Sequence, residues 1–334
     1  MKLVFDKTDA IDSPALAPAH VDADPRDDHR PTLTIGLINN MPDSALKATE
    51  QQFARLLHAV AGDVRIRLHC LTLRSVQRSA AARQHVARGY RDIADLDRLA
   101  LDGLIVTGAE PVAATLPEEP YWRELTRIID WARSNTRSTI WSCLAAHAAV
   151  LHLDGIERHR LPSKCSGVYD CTGVTDDWLT RDAGAPLKVS HSRFNELREG
   201  ELAARGYQIL TRSVEAGVDV FARQGQSRFI FFQGHPEYDA LSLQREYMRD
   251  VARFLTGERE DFPGLPANYF DAETEQVLTG FERRAKAMRE PTLAAELPGL
   301  TLRPDIAAGS AAMVLFRNWV DFLADSVTAA LPAR

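Results

Sequence analysis

Unbroken apolar runs alternate along this chain with segments in which apolar residues return every three or four positions. PTLTIGLINN (31–40) is largely apolar and β-rich until it meets the turn Asn39-Asn40-Met41-Pro42-Asp43, and reads as a buried strand. Leu46, Phe53, Leu56 and Leu57 then approximate a helical stripe, with Asp43 or Ser44 as its expected cap. VRIRLHCLTL predicts a second strand, a polar helical stretch follows, and LDGLIVTG predicts a third strand closed by Gly108. A helix is expected from about 118 to 134, with Trp122, Leu125, Ile128, Ile129 and Ala132 on its apolar stripe. The short strand STIWS then runs straight into Cys143 and the helical segment LAAHAAVLHL. Strands this uniformly apolar, alternating with helices, indicate an α/β fold whose mostly parallel sheet is covered on both faces.

The second half changes character. APLKVSHS, YQILTRS, VDVFARQ and RFIFFQG read as shorter strands with some antiparallel pairing, and a helix is expected from about 240 to 255. Beyond Gly257 come a Pro-rich loop, a charged helix at about 273–290, another loop and a terminal helix carrying Trp319 and Phe322. Residues 1–30, rich in Asp, Pro and Ala and without periodicity, read as a loosely ordered arm. The expected organisation is therefore an arm over 1–30, an α/β core over 31–257, and a C-terminal loop and helical extension over 258–334 that packs on the core.

Composition narrows the function classes. The 334 residues are 45% hydrophobic and 26% charged, with a net charge of -6. This mild acidity, without a Lys/Arg block, argues against nucleic acid or an anionic membrane as the main partner. No apolar run approaches the roughly 20 residues that cross a bilayer, and the first residues lack the charged start and apolar stretch of a secretory leader. The four cysteines (Cys70, Cys143, Cys165, Cys171) form no C-x-x-C pair, so a reducing cytoplasm is the expected compartment. No metal site is expected, because His147 and His152 lack an acidic partner at useful spacing.

Cys143 sits where an apolar strand gives way to an Ala-rich helix. Such a turn lifts a side chain above the carboxyl edge of a sheet, where α/β proteins bind ligands. The helix N-terminus lowers a thiol pKa and offers free N–H groups to an oxyanion. A cysteine at a strand end is also an ordinary small buried apolar residue. The segment Gly234-His235-Pro236-Glu237 ends another apolar strand. Glu237, two residues beyond His235, is spaced to steady the imidazole while its other nitrogen serves as a base. A Pro-containing turn with a helix-capping glutamate is the alternative reading of the same residues, and on spacing alone both remain open.

A set of longer segments carries a resemblance. IGLINNMPDSALKATEQQFARLL, DGLIVTGAE with PYWREL, the cysteine turn, KCSGVYD, HSRFNEL, GHPEYDALSLQREYMRDV, NYF and FRNWVDFL resemble, in order and over about 32–325, the homoserine O-acyltransferase family of methionine biosynthesis. The similarity is closest to the homoserine O-succinyltransferases. It implies a flavodoxin-like fold of the class I glutamine amidotransferase kind. It also implies a Cys143–His235–Glu237 triad that takes an acyl group from an acyl-CoA, succinyl-CoA or acetyl-CoA, and passes it to a homoserine hydroxyl, with no permanently bound cofactor. The resemblance places Glu246 and Arg249 on the acceptor's ammonium and carboxylate, and Lys164, Ser192 and Arg193 in the substrate pocket. It places the oxyanion hole and acyl pocket at Leu144, Gly108, Ala109 and Val112, and implies a homodimer.

Departures from the family pattern fall where substrates are chosen. At the position of Val112 the family has glycine in succinyl-transferring members and glutamate in acetyl-transferring ones. Valine does not repel a succinyl carboxylate, so succinyl is favoured on charge; its bulk and the nearby Glu110 act the other way. The tryptophan usual after the cysteine is Leu144, the usual Met-Pro-Lys-Lys is Met41-Pro42-Asp43-Ser44, and a histidine usual before the last helix is absent around Ser310. Serine or another hydroxy amino acid is therefore the alternative acceptor. A glutamine amidotransferase-like hydrolase and a non-catalytic amino-acid sensor are the competing readings. The first is disfavoured by Glu246, Arg249 and KCSGVYD, the second by the intact triad.

Overall fold

The computed structural model describes residues 3–5, 31–308 and 310–329. In chain order its elements begin with β1 (Leu3–Phe5), β2 (Thr32–Ile38), α1 (Asp43–Val60), β3 (Arg65–Leu71), α2 (Ala80–Gly89), β4 (Gly103–Val106), α3 (Trp122–Asn135), β5 (Ser138–Ser142) and α4 (Leu144–Asp154). There follow β6 (His159–Gly173), β7 (Leu187–Glu196), α5 (Glu199–Ala204), β8 (Gln208–Ser213), β9 (Gly217–Arg223), β10 (Arg228–Phe232), α6 (Ser242–Leu255), α7 (Ala272–Met288) and α8 (Ser310–Ala329). The arm expected over 1–30 lies outside the described residues except for Leu3–Phe5, which form a strand parallel to β3.

The chain divides into two compact units: Met1–Trp141 with Gln224–Phe229 and Phe316–Arg334, and Ser142–Arg223 with Ile230–Leu315. The first unit carries parallel strands in the order β1-β3-β2-β4-β5. All four residues of β4 are buried, as continuous apolar runs require of a sheet covered on both faces. The stripe read on α1 is buried through Leu46, Phe53, Leu56 and Leu57, and that on α3 through Leu125, Ile128, Ile129 and Ala132. The cap differs from expectation. Pro42 occupies the N-cap of α1, and the Asp43 carboxylate instead accepts the Ser79 N–H at 2.7 Å, tying down the start of α2. The last helix enters this unit from Phe316 onward. Trp319 is fully buried and its indole N–H donates to Ser138 Oγ at 3.0 Å. A Cβ on Gly103 would stand 2.8 Å from that indole, so the close approach requires glycine.

The second unit is antiparallel. β6 pairs with β7 and β8, and β8 with β9, as the shorter-strand pattern led us to expect. The 15-residue β6, on which KCSGVYD lies, was not expected as a strand. Its burial alternates poorly and its pairing with β7 shifts register between Arg160 and Cys165, so no period-2 pattern marks it in sequence. The charged helix predicted near 273–290 is α7. It buries Leu278, Phe281 and Ala285 against Val251, Phe254 and Leu255 of α6. No helix among the described residues is long and apolar enough to cross a membrane.

Candidate active site

β5 ends at Ser142 and α4 begins at Leu144, leaving Cys143 alone at the turn. Its φ of 53° and ψ of -113° form a conformation disfavoured for any residue with a Cβ, worth about 1–3 kcal/mol of strain. The surroundings hold it there. The Cys143 N–H donates to the Phe232 carbonyl at 2.7 Å, and its carbonyl accepts from Ala146 and His147 at 3.0 and 3.2 Å. Ala145 and Ala146 are fully buried, as a helix start packed this tightly demands. The sulfur is unbridged and half-buried. Leu144 begins the helix, and the first N–H groups of a helix have no partner within it, so they face an anion well.

His235 comes three residues after β10 ends. The turn is fastened to neighbouring strands: Gln233 N–H donates to the Asp219 carbonyl at 2.9 Å and His235 N–H to that of Ser190 at 2.7 Å. A Cβ on Gly234 would meet Asp219 Oδ1 at 2.7 Å, which reserves the position for glycine. His235 Nδ1 lies 2.9 Å from Glu237 Oε1, and the imidazole also hydrogen-bonds the Cys143 side chain. Burial alone would lower the imidazole pKa. The negative charges of Glu237 and Cys143 and their hydrogen bonds outweigh it and hold the pKa well above the usual histidine value. The imidazole is thus held protonated beside the Cys143 sulfur, and a positive charge next to a sulfur is what favours its nucleophilic form. The three residues whose sequence spacing left two readings open are joined in one chain of hydrogen bonds.

A second cluster adjoins it. Glu246 Oε2 accepts from Ser192 Oγ and, at 3.3 Å, from Lys164 Nζ; its Oε1 accepts from the Tyr238 hydroxyl at 2.6 Å. Lys164 also reaches Asp250 Oδ2 at 3.2 Å, and Arg249 clasps Asp250 Oδ1 through two nitrogens at 2.9 and 2.8 Å. Burial pushes the Glu246 and Asp250 carboxyls up, but Lys164, with the other donors around each, brings both below their ordinary values. Lys164, Ser192, Glu246 and Arg249 are therefore gathered through two carboxylates.

Arg193 is placed differently. It is buried, donating to the carbonyls of Asn195 at 2.8 Å and of Ala216, and to His191 Nδ1 at 3.3 Å. That last bond leaves the hydrogen of His191 on Nε2, which faces Asp219 at 3.4 Å. Cys171, His191 and Asp219 bring their ligand-type atoms within 4.8 Å of one another. With Nδ1 accepting and Nε2 protonated, this imidazole has no lone pair left for a cation. Gly108, Ala109 and Val112 belong to the first unit. There Glu119, which the sequence reading passed over, accepts the Val112 and Ala113 N–H groups at 3.0 Å each and leaves the Val112 side chain exposed. Tyr238 and Asp250 were also passed over. Both lie inside the quoted GHPEYDALSLQREYMRDV, but neither has a spacing that marks a role.

A strained cysteine between strand and helix, bound to a histidine that a glutamate steadies, defines an α/β protein with a cysteine–histidine–carboxylate centre. The fold is like that of a glutamine amidotransferase from Thermotoga maritima, with a TM-score of 0.50 and 11% identity over 88% of this chain and 98% of that one. The sequence profile of homoserine O-succinyltransferase matches residues 4–330. A homoserine O-succinyltransferase of Bradyrhizobium japonicum is 67% identical, covering 97% of this chain and 100% of that protein. One of Rhodopseudomonas palustris is 60% identical, covering 97% and 99%. The chain belongs to the homoserine O-succinyltransferase family.

Proposed function

We propose that this protein transfers a succinyl group from succinyl-CoA to the hydroxyl of homoserine, a step of methionine biosynthesis, with Cys143 as nucleophile. The observation that carries the reading is the hydrogen-bonded chain Cys143–His235–Glu237 in a member of this family. The Cys143 thiolate attacks the thioester carbonyl, and the oxyanion that forms is met by the Leu144 N–H at the start of α4. As the intermediate collapses, the carbon–sulfur bond to CoA breaks and the departing thiolate takes the proton held by His235. The acyl group is now a thioester on Cys143. The acceptor hydroxyl then gives its proton to His235 as its oxygen attacks that thioester, and Cys143 leaves as thiolate. Glu237 holds the ring in one tautomer through both half-reactions.

In this reading Glu246 receives the acceptor's ammonium, while Lys164 and Arg249 supply positive charge for its carboxylate. Ser192 holds the Glu246 carboxylate in place. Relatives at 67% and 60% identity carry the succinyl name, which supports succinyl over acetyl as the donor and homoserine over serine as the acceptor. Intact-mass measurement after mixing with succinyl-CoA is the test. The protein should gain one succinyl group on Cys143 that homoserine removes as O-succinylhomoserine, and Cys143→Ala should gain none. A wild-type protein that stays unmodified while product accumulates would refute the covalent route.

A further inference from the structure

Tyr238 touches both halves of the arrangement. Its ring lies against the His235 imidazole with centroids 4.3 Å apart and planes within 19°, a stacked pair. Its hydroxyl donates to Glu246 Oε1 at 2.6 Å. The other Glu246 oxygen is engaged by Ser192 and Lys164. Burial and the neighbouring Glu246 and Glu237 charges push the phenol pKa far up, so the hydroxyl remains a donor throughout the working range. Stacking restricts rotation of the imidazole about its bond to Cβ. A short bond to a carboxylate fixes which way that carboxylate turns.

We propose that Tyr238 is a positioning residue that holds the general base His235 and the ammonium-binding carboxylate of Glu246 in one register, its ring serving the first and its hydroxyl the second. The proposal rests on the acyl-transfer reading above and adds a residue to which neither spacing nor family motif gives a role. It separates two functions within one side chain. Removing the hydroxyl should disturb acceptor binding alone, whereas removing the ring should disturb the thiolate–imidazolium pair. Besides the stacked Tyr238, the titratable groups that act on the His235 imidazole are Glu237 and Cys143, which hydrogen-bond it, and Glu246 and His191, which act through their charges.

The test compares wild type, Tyr238→Phe and Tyr238→Leu in two measurements. The first is the pH dependence of Cys143 alkylation by iodoacetamide in the resting enzyme, read by peptide mass so that the other cysteines do not contribute. The second is the pair of half-reactions: succinylation of Cys143, and KM for homoserine. Tyr238→Phe should keep the alkylation profile and the succinylation rate while KM for homoserine rises about tenfold, the scale of one hydrogen bond to a charged group. Tyr238→Leu should move the alkylation profile about one pH unit upward, because a wandering imidazolium no longer stabilises the thiolate, and should slow succinylation about tenfold.

An unchanged KM in Tyr238→Phe, or equal losses in both half-reactions, would overturn the proposal. So would an unmoved alkylation profile in a folded Tyr238→Leu. If Tyr238→Leu does not fold, Tyr238→Met replaces it in the same two measurements with the same expected shifts, and Tyr238→Phe judges the hydroxyl. A wild type that is alkylated at Cys143 yet makes no O-succinylhomoserine sinks the transfer reading, while the alkylation comparison still judges the ring.

Discussion

Glu237 is tied to the ring of His235 through a single bond at 2.9 Å. Replacing it by glutamine keeps the size but removes the charge that helps raise the imidazole pKa. We expect Glu237→Gln to lower kcat/KM for O-succinylhomoserine formation by roughly a hundredfold or more, by analogy with the loss of a triad carboxylate. The Cys143 alkylation profile should shift to higher pH in the same variant, and steady-state kinetics alongside alkylation checks both. The meeting of Cys143, His235 and Glu237 was suggested in sequence because each ends or follows an apolar run, where the carboxyl edge of a sheet lies, while spacing alone left their role open. Tyr238 was not, because nothing about a tyrosine in a turn says that its ring will lie on one neighbour and its hydroxyl on another. Arg193 stood beside Ser192 in HSRFNEL as a substrate candidate. Its guanidinium is instead directed to the carbonyls of Asn195 and Ala216, a choice made by chain crossings that sequence spacing does not reveal.

Elements were readable in proportion to their periodicity. α1 buries the stripe predicted for it and α3 all of its own but Trp122, and the apolar β4, the mixed β5 and the largely apolar β10 are buried throughout. β6 escaped because its mixed polar run carries Pro162 and a register shift, so its strand character comes from pairing with β7. α8 shows what a terminal element contributes. Trp319 is fully buried, bonded to Ser138, and packed where Gly103 has no Cβ. Trp319→Ala should therefore cost about 3–5 kcal/mol, from lost apolar burial and an unfilled cavity. Urea unfolding should show the midpoint falling with the slope unchanged.

Across the whole molecule the buried histidines set how stability responds to acid. His147 is buried and its pKa is lowered to about 3, first by burial and then by the charges of Arg193 and Arg158; burial also lowers that of His191. In the unfolded chain both titrate near 6.5. Below that pH the unfolded state binds protons that the folded state refuses, so stability falls, by up to about 1.4 kcal/mol per pH unit for each such histidine. The Glu246 and Asp250 carboxyls, held below their ordinary values, add a second loss once pH drops through about 4. His235 has the opposite sign: its raised pKa contributes stability that is full below 6.5 and fades as pH rises through the folded value. Chemical denaturation from pH 8 to 4 should show an acid decline beginning near 6.5, and His147→Gln should flatten it. The left-handed turn at Cys143 gives the molecule a further bias. Glycine is the residue its backbone prefers there, so a search for hardier variants that ignored turnover would drift toward a more robust protein without the thiol at that turn.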